Sequence, residues 1–172
     1  QGRHATAHAA SLLLAAGQAL EQQVRTVHHA AHTTSQVEAL ALASGSARVV
    51  ANAHTRIAPG ADEAAVRQRL TGIPLAGRPR LVLRPHLEIL HDKVQAAHGA
   101  TWGALPEEAL FYARQRGLDD ASARALIVEG MAHALLERCI GHPELLATWQ
   151  DSGWLARAIA SHLAAAQGVR HG

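Results

Sequence analysis

Up to about residue 105 the apolar residues fall in short runs separated by turn formers. The runs lie at 24–27, 37–42, 49–50, 81–83 and 87–90, and Gly45, Pro59-Gly60, Gly72, Pro74, Gly77, Pro79 and Pro85 stand between or beside them. Within 80–84 and 86–90 apolar and polar residues alternate, which puts Leu87 and Ile89 on one face of a strand. Prolines this frequent do not fit helix interiors, because each lacks an N–H and clashes with the preceding turn. The region therefore predicts many short strands, most of them too short to hold as isolated hairpins. Two segments dissent. Residues 5–20 are rich in Ala and Leu, and 62–70 (DEAAVRQRL) open on acids with helical spacing; propensity alone favours helix for both. The second is read as a short helical or irregular turn over 62–69.

From Pro106 the period changes. Pro106 suits a helix start, Glu107 and Glu108 complement the dipole there, and Gly117 follows Arg114 and Arg116 as a stop. Asp119 or Asp120 can cap a second helix in which Ala125, Val128, Ala132, Leu135 and Leu136 recur at helical spacing, with Gly141 and Pro143 ending it. A third helical region, broken near Gly153, runs to about Gln167. The apolar stripe of these helices is read first as core packing and second as a partner-binding face.

Composition narrows the class. The chain has 172 residues, 48% of them hydrophobic, which is enough to bury a core and excludes a disordered tail. No run approaches the ~20 apolar residues of a membrane span, and no secretory leader pattern opens the chain. Gln1 is not an initiator, so the expectation is a processed chain or a piece of a longer one. One cysteine, Cys139, allows no internal disulfide and no all-thiolate metal site within the chain. A cytoplasmic home follows as the default. The net charge is +2, there is a single lysine (Lys93), and aromatic residues make up 3%. A nucleic-acid binder needs a concentrated basic stripe with stacking partners, so none is expected.

One stretch is distinctive: RPHLEILHDKVQAAHGAT over 84–101, then Gly103, then EALFYARQRGL over 108–118 and ARALIVEGM over 123–131. It resembles the signature of the SufB/SufD family of iron–sulfur cluster assembly proteins. Upstream, RTVHHAAHTTSQ over 25–36 is similar to a second family segment. Gly99 after His98 matches the SufD-like branch, where the SufB branch carries Glu, and the chain resembles the C-terminal portion of such a protein. The resemblance implies a right-handed parallel β-helix over 1–104, the C-terminal part of a longer core, followed by a helical C-terminal domain over 105–172. It also shifts 5–14 from helix to strand, since stacking overrides a weak propensity.

The same resemblance implies a non-catalytic scaffold subunit of a Suf-type complex. Its partners are a SufB-like subunit and a SufC-like ABC ATPase docked on the C-terminal helices, with a homodimer as the alternative pairing and neither nucleic acid nor membrane. His98 matches the family histidine implicated in cluster assembly at the SufB interface, and neutral imidazole suits both iron ligation and proton transfer. Many SufD-like chains carry Cys two residues earlier; here that residue is Ala96. Clusters are held mostly by thiolates, so no cofactor is expected to bind stably to this chain alone, and iron or a transient cluster would be shared with a partner.

Other polar groups are weaker candidates. Of the 13 histidines, His28 and His32 are the nearest to a metal pair; on a straight strand they share a face but stand too far apart for one ion. Turn hydrogen bonding is the competing reading. Glu88 and Asp92, alternating with His86, suit a solvated face or a partner contact. Cys139, at a helix end, is read as an inert thiol. No phosphate loop, nucleophile elbow or Cys–His pair points to an enzyme. The rival functions are a stand-alone His-based metal carrier and a β-helix carbohydrate enzyme, the latter disfavoured by only 14 acids.

Overall fold

The protein is described here from a computed structural model that covers residues 2–141 and 143–168. Seven strands come first: β1 (Thr6–Ala16), β2 (Ala19–His28), β3 (Thr34–Gly45), β4 (Arg48–Ile57), β5 (Ala64–Gly77), β6 (Arg80–Ile89) and β7 (Val94–Trp102). Four helices follow: α1 (Glu107–Gln115), α2 (Asp120–Cys139), α3 (Pro143–Asp151) and α4 (Trp154–Gly168). Odd strands form one sheet in the order β1-β3-β5-β7, even strands a second in the order β2-β4-β6. All pairs are parallel. The chain thus coils as a β-solenoid of about three turns, two strands to a turn, with the helices at its C-terminal end.

The register sets what each residue meets. Thr6 lies opposite Thr34, Thr34 opposite Ala65, and Ala64 opposite Val94. Inward residues of successive turns therefore stack in columns. Between the sheets these are mostly small: Ala39, Ala41 and Ala43 on β3 face Ala51 and Ala53 on β4, with Leu13, Val49, Leu70 and Leu83 filling the remainder. Outward on the first sheet lie Leu40, Leu42, Ile73 and Leu75, which pack against Val128, Leu135, Leu155, Ile159 and Leu163 of α2 and α4. β3 is consequently buried on both faces, as a strand covered by helices on one side should be. Each fully buried Leu or Ile contributes about 1.5–3 kcal/mol.

Several expectations change in this frame. Residues 62–69 are not a helical turn: Asp62 and Glu63 close a loop and β5 begins at Ala64. Ala64, Val66, Gln68 and Leu70 are buried while Arg67 and Arg69 are exposed, and this period of two is the one the solenoid requires. The 5–14 stretch is strand, as the resemblance implied. The strands are longer than the short runs suggested, because interior alanines carry little hydrophobic signal. Gly72, Pro74 and Pro85 do not break strands. Pro74 is exposed beside a register shift, where Ala43 faces Pro74 but Ser44 faces Ala76. Pro85 sits on β6, an edge strand, where a missing N–H is tolerated. Gly77 is a place where only glycine fits: φ is +72° and an added Cβ would come within 2.8 Å of the Gly45 backbone stacked on it. Asp92 lies beyond β6 in a turn, so it does not alternate with Glu88. Pro143 opens α3 rather than only ending α2.

The helix ends follow their sequence cues. The Asp119 carboxylate accepts from the Ser122 N–H at 2.7 Å, Gly117 ends the α1 turn at φ +87°, and Gly153 separates α3 from α4 at φ +61°. The C-terminal end of α2 is held to the sheet by polar contacts. Glu38, on the outward face of β3 and 2% exposed, accepts Arg138 Nη2 at 2.9 Å and Nε at 3.0 Å, and Gln36 donates to its other oxygen at 2.7 Å. His8 Nδ1 lies 3.0 Å from the Cys139 carbonyl. Among the described residues no helix is long and apolar enough to cross a membrane.

Two predictions follow from this docking. Arg138→Met strands a buried carboxylate, and the loss is expected at about 2 kcal/mol because the arginine itself is half exposed; thermal melting should fall by about 5 °C. Adding Glu38→Gln should recover part of it, and strictly additive losses in the double mutant would refute the pairing. The Cys139 thiol is pushed up to about 11 by burial and then by the Glu38 carboxylate. Alkylation by iodoacetamide in mild alkali should be on the order of a hundredfold slower in the native protein than in denaturant; equal rates would contradict the burial.

Candidate functional site

His98 sits in the middle of β7, the terminal strand of the first sheet. Its ladder partner on one side is Gln68 of β5, and among the described residues no strand pairs with β7 on the other. Directly paired residues in a parallel ladder point to the same side. His98 thus belongs to the inward column Ala9–Val37–Gln68–His98, yet it is exposed, because the second sheet ends at β6. Residues 95–99 are all exposed. After Trp102, itself 56% exposed, the chain leaves the stack for α1. A shallow cleft of about 340 Å³ runs along the β5–β7 ladder, lined by Arg67, Gln68, Arg69, Ala97, His98 and Gly99. A solvent-facing imidazole therefore stands on an open sheet edge, with Arg67 and Arg69 alternating to the other face of β5. Ala96, two residues before His98 and on the same side, brings no donor atom.

Beneath His98 a polar group interrupts the aliphatic packing, made by Gln68 in the same column with Thr55 and Thr26 on the facing sheet. Thr26 Oγ1 and Thr55 Oγ1 share a 2.6 Å hydrogen bond, and Gln68 Nε2 donates to Thr55 Oγ1 at 2.8 Å and to the His86 carbonyl at 3.1 Å. Sequence reasoning missed Gln68. Only the 30-residue spacing from Gln68 to His98 could have revealed it, and that spacing is a property of the register.

The other candidates are placed apart from this edge. His28 is 4% exposed, with Nδ1 2.7 Å from Thr33 Oγ1 and Nε2 2.8 Å from Ser35 Oγ, so both ring nitrogens are engaged in the turn. His32 has a left-handed φ of 57° and stacks on His4 with ring centroids 4.9 Å apart. The two are not brought to one point, and among the described residues no cluster of three or more His, Cys, Asp or Glu side chains could hold a metal ion. Glu88 faces Arg56 at 3.5 Å and His54 at 3.8 Å on the outer face of the second sheet. His91 Nε2 lies 2.5 Å from Asp62, and this bond is the first cause holding the Asp62 carboxyl below its usual range. These are structural contacts that tie neighbouring turns.

Burial lowers the pKa of His28, and likewise of His162, which lies on α4 with Nε2 3.5 Å from Ser44 Oγ of β3. The folded state favours the neutral ring, so the unfolded chain binds the proton more readily. The resulting stability is complete above about pH 6.5 and is lost as pH falls through that value toward the depressed folded pKa. Melting temperature should therefore drop between about pH 7.5 and 5. His28→Gln should flatten that slope, and an unchanged slope would exclude His28 as a source. Asp62 does not contribute in this window, since its effect is lost only below the carboxylate range.

A family model described as SUF system FeS cluster assembly, SufBD core domain, matches residues 1–131. An iron–sulfur cluster assembly SufBD family protein of Synechocystis is 38% identical over 64 residues, 37% of this chain and 14% of that protein. The iron–sulfur cluster assembly protein SufD of Escherichia coli is 41% identical over 54 residues, 31% of this chain and 13% of its own length. Protein ABCI7, chloroplastic, of Arabidopsis thaliana is 26% identical over 110 residues, 64% of this chain and 23% of that protein. The chain spans less than a quarter of the length of each of these relatives. A parallel solenoid whose last strand carries the HGAT segment, matched by the SufBD core model over most of its length, belongs to the SufB/SufD family of iron–sulfur cluster assembly proteins.

Proposed function

We propose that this chain acts as a non-catalytic scaffold subunit of a Suf-type iron–sulfur assembly complex in the cytoplasm. It pairs with a SufB-like subunit and receives a SufC-like ABC ATPase on its C-terminal helices. The observation that carries the reading is the exposed His98 on a terminal strand that is paired along one edge only. An open strand edge is a ready site for pairing with another chain, and an imidazole on that edge can reach across the junction. The single cysteine is buried with a raised pKa, which argues that thiolate ligands to any cluster come from the partner. His98 supplies a nitrogen ligand or carries a proton there, and iron or the nascent cluster is cargo rather than a resident group. For the ATPase face, Phe111 and Tyr112 on α1 are 57% and 59% exposed and offer apolar anchors.

His98→Ala should impair maturation of iron–sulfur enzymes in cells that depend on this protein, while co-purification with the ATPase stays at the unmodified level. The side chain is exposed, so folding stability should change by no more than about 0.5 kcal/mol. Normal maturation by the mutant at normal abundance would remove His98 from the reading.

A further inference from the structure

Among the described residues three buried side-chain atoms lack a hydrogen-bond partner: His54 Nε2 and Arg56 Nε, which face Glu88 on the outer side of the second sheet, and Gln68 Oε1 in the interior. Gln68 is 2% exposed, and its amide nitrogen is fully used by Thr55 Oγ1 and the His86 carbonyl. Its Oε1 is shut off from solvent and has no hydrogen-bond partner among the described residues. Exchanging the amide oxygen and nitrogen does not help, because an oxygen would then face the His86 carbonyl oxygen, acceptor against acceptor. A buried carbonyl oxygen is normally paired, so the missing donor calls for an explanation.

The register limits where that donor can come from. On its own strand Gln68 is flanked on the inward face by Val66 and Leu70. Its partner on β3 is Val37, and on β7 it meets Ala96, His98 and Ala100. Ser35 lies diagonally on β3, but its hydroxyl is engaged by His28. Of these neighbours His98 alone carries an uncommitted N–H. It lies one strand spacing away, about 4.8 Å along the ladder, and it is exposed, so its ring can turn without disturbing packed neighbours.

We propose that Gln68 is a positioning residue for His98: Nδ1–H donates to the buried Gln68 Oε1, which fixes the neutral tautomer and leaves Nε2 directed off the sheet edge. A ligating histidine generally needs such a partner on its other nitrogen, since the bond sets both the tautomer and the ring orientation. Thr55 and the His86 carbonyl hold the amide on its far side, so the acceptor is presented by the interior and not by a mobile surface group. The inference deepens the reading of His98 as the nitrogen that meets iron at the partner junction, and its functional meaning rests on that reading.

The test is the tautomer. Long-range ¹H–¹⁵N correlation spectra of the histidine-labelled protein, taken at about pH 8 where imidazoles are neutral, report which ring nitrogen is protonated, with His98→Ala assigning the signal. The expected result is the Nδ1–H form for His98, opposite to the preference of an unconstrained imidazole. Gln68→Met removes the acceptor and should return His98 to Nε2–H, whereas Thr55→Val, which removes the bonds to the amide nitrogen and to Thr26 but leaves the acceptor, should not. An Nε2–H form in the unmodified protein, or equal effects of Gln68→Met and Thr55→Val, would overturn the proposal. Should Gln68→Met fail to fold, the tautomer of the unmodified protein still decides. An Nδ1–H His98 combined with normal enzyme maturation by His98→Ala would support the positioning and remove only the assembly role.

Discussion

Everything in this molecule depends on the parallel register between successive turns. A turn of two strands has too little apolar surface to stand alone, and its inward residues are buried only because the next turn lies on them. The spacing that achieves this is uneven, from 28 residues between Thr6 and Thr34 to 32 between Arg48 and Arg80, and the turns absorb the difference. His32 and Glu63 take left-handed φ at equivalent corners, and Gly45 and Gly77 do so at the opposite one. Each corner is also tied to the next by backbone bonds, His32 N–H to the Asp62 carbonyl at 2.7 Å and Arg78 N–H to the Gly45 carbonyl at 2.9 Å. Position in a column, more than residue type, then decides whether a side chain is core, contact or edge.

The helices solve a different problem. Only the first sheet has an apolar outer face, and only that sheet is covered by α2 and α4. The second sheet turns Arg25, His54, Arg56, His86 and Glu88 outward and needs no cover. Cover stops short of β7, whose outward positions are Gln95, Ala97, Gly99 and Thr101. A helix gains nothing by packing on such small and polar residues. The bare terminal strand is thus written into its composition as much as into the helix positions.

What the sequence made legible divides along the same line. The helical part was readable because its cues are local: the Asp119 cap, the Gly117 stop and the break at Gly153 each act within one turn. The conspicuous alternation at 80–90 identified one strand correctly for the same reason. Residues 5–16 and 64–70 misled because alanine-rich and Arg-rich stretches satisfy helix propensity, while the contacts that make them strands lie about thirty residues away in the next turn. Resemblance to a known family repaired the first but not the second. For the site, His98 was legible through its HGAT segment, whereas Gln68 has no local signature at all.

His28 and His98 show how far the stack can separate two identical side chains. Both lie in or at the end of strands, and both face the solenoid interior. His28 is roofed by the following turn and finds Thr33 and Ser35 hydroxyls on both nitrogens, so burial favours its neutral form and its bonding capacity is spent inside the fold. His98 occupies the last turn, where no strand of the second sheet roofs it, and its ring remains available to solvent or to another chain. A solenoid that must end somewhere exposes one layer of inward positions. In the two layers beneath, those positions hold Val66, Gln68 and Leu70 on β5 and Ser35, Val37 and Ala39 on β3, and large aliphatics exposed there would only be an aggregation liability. Here the exposed layer instead carries Ala96, His98 and Ala100 above a polar Thr55–Gln68 pair, a composition that tolerates water and offers one nitrogen ligand at the place where the fold runs out of turns.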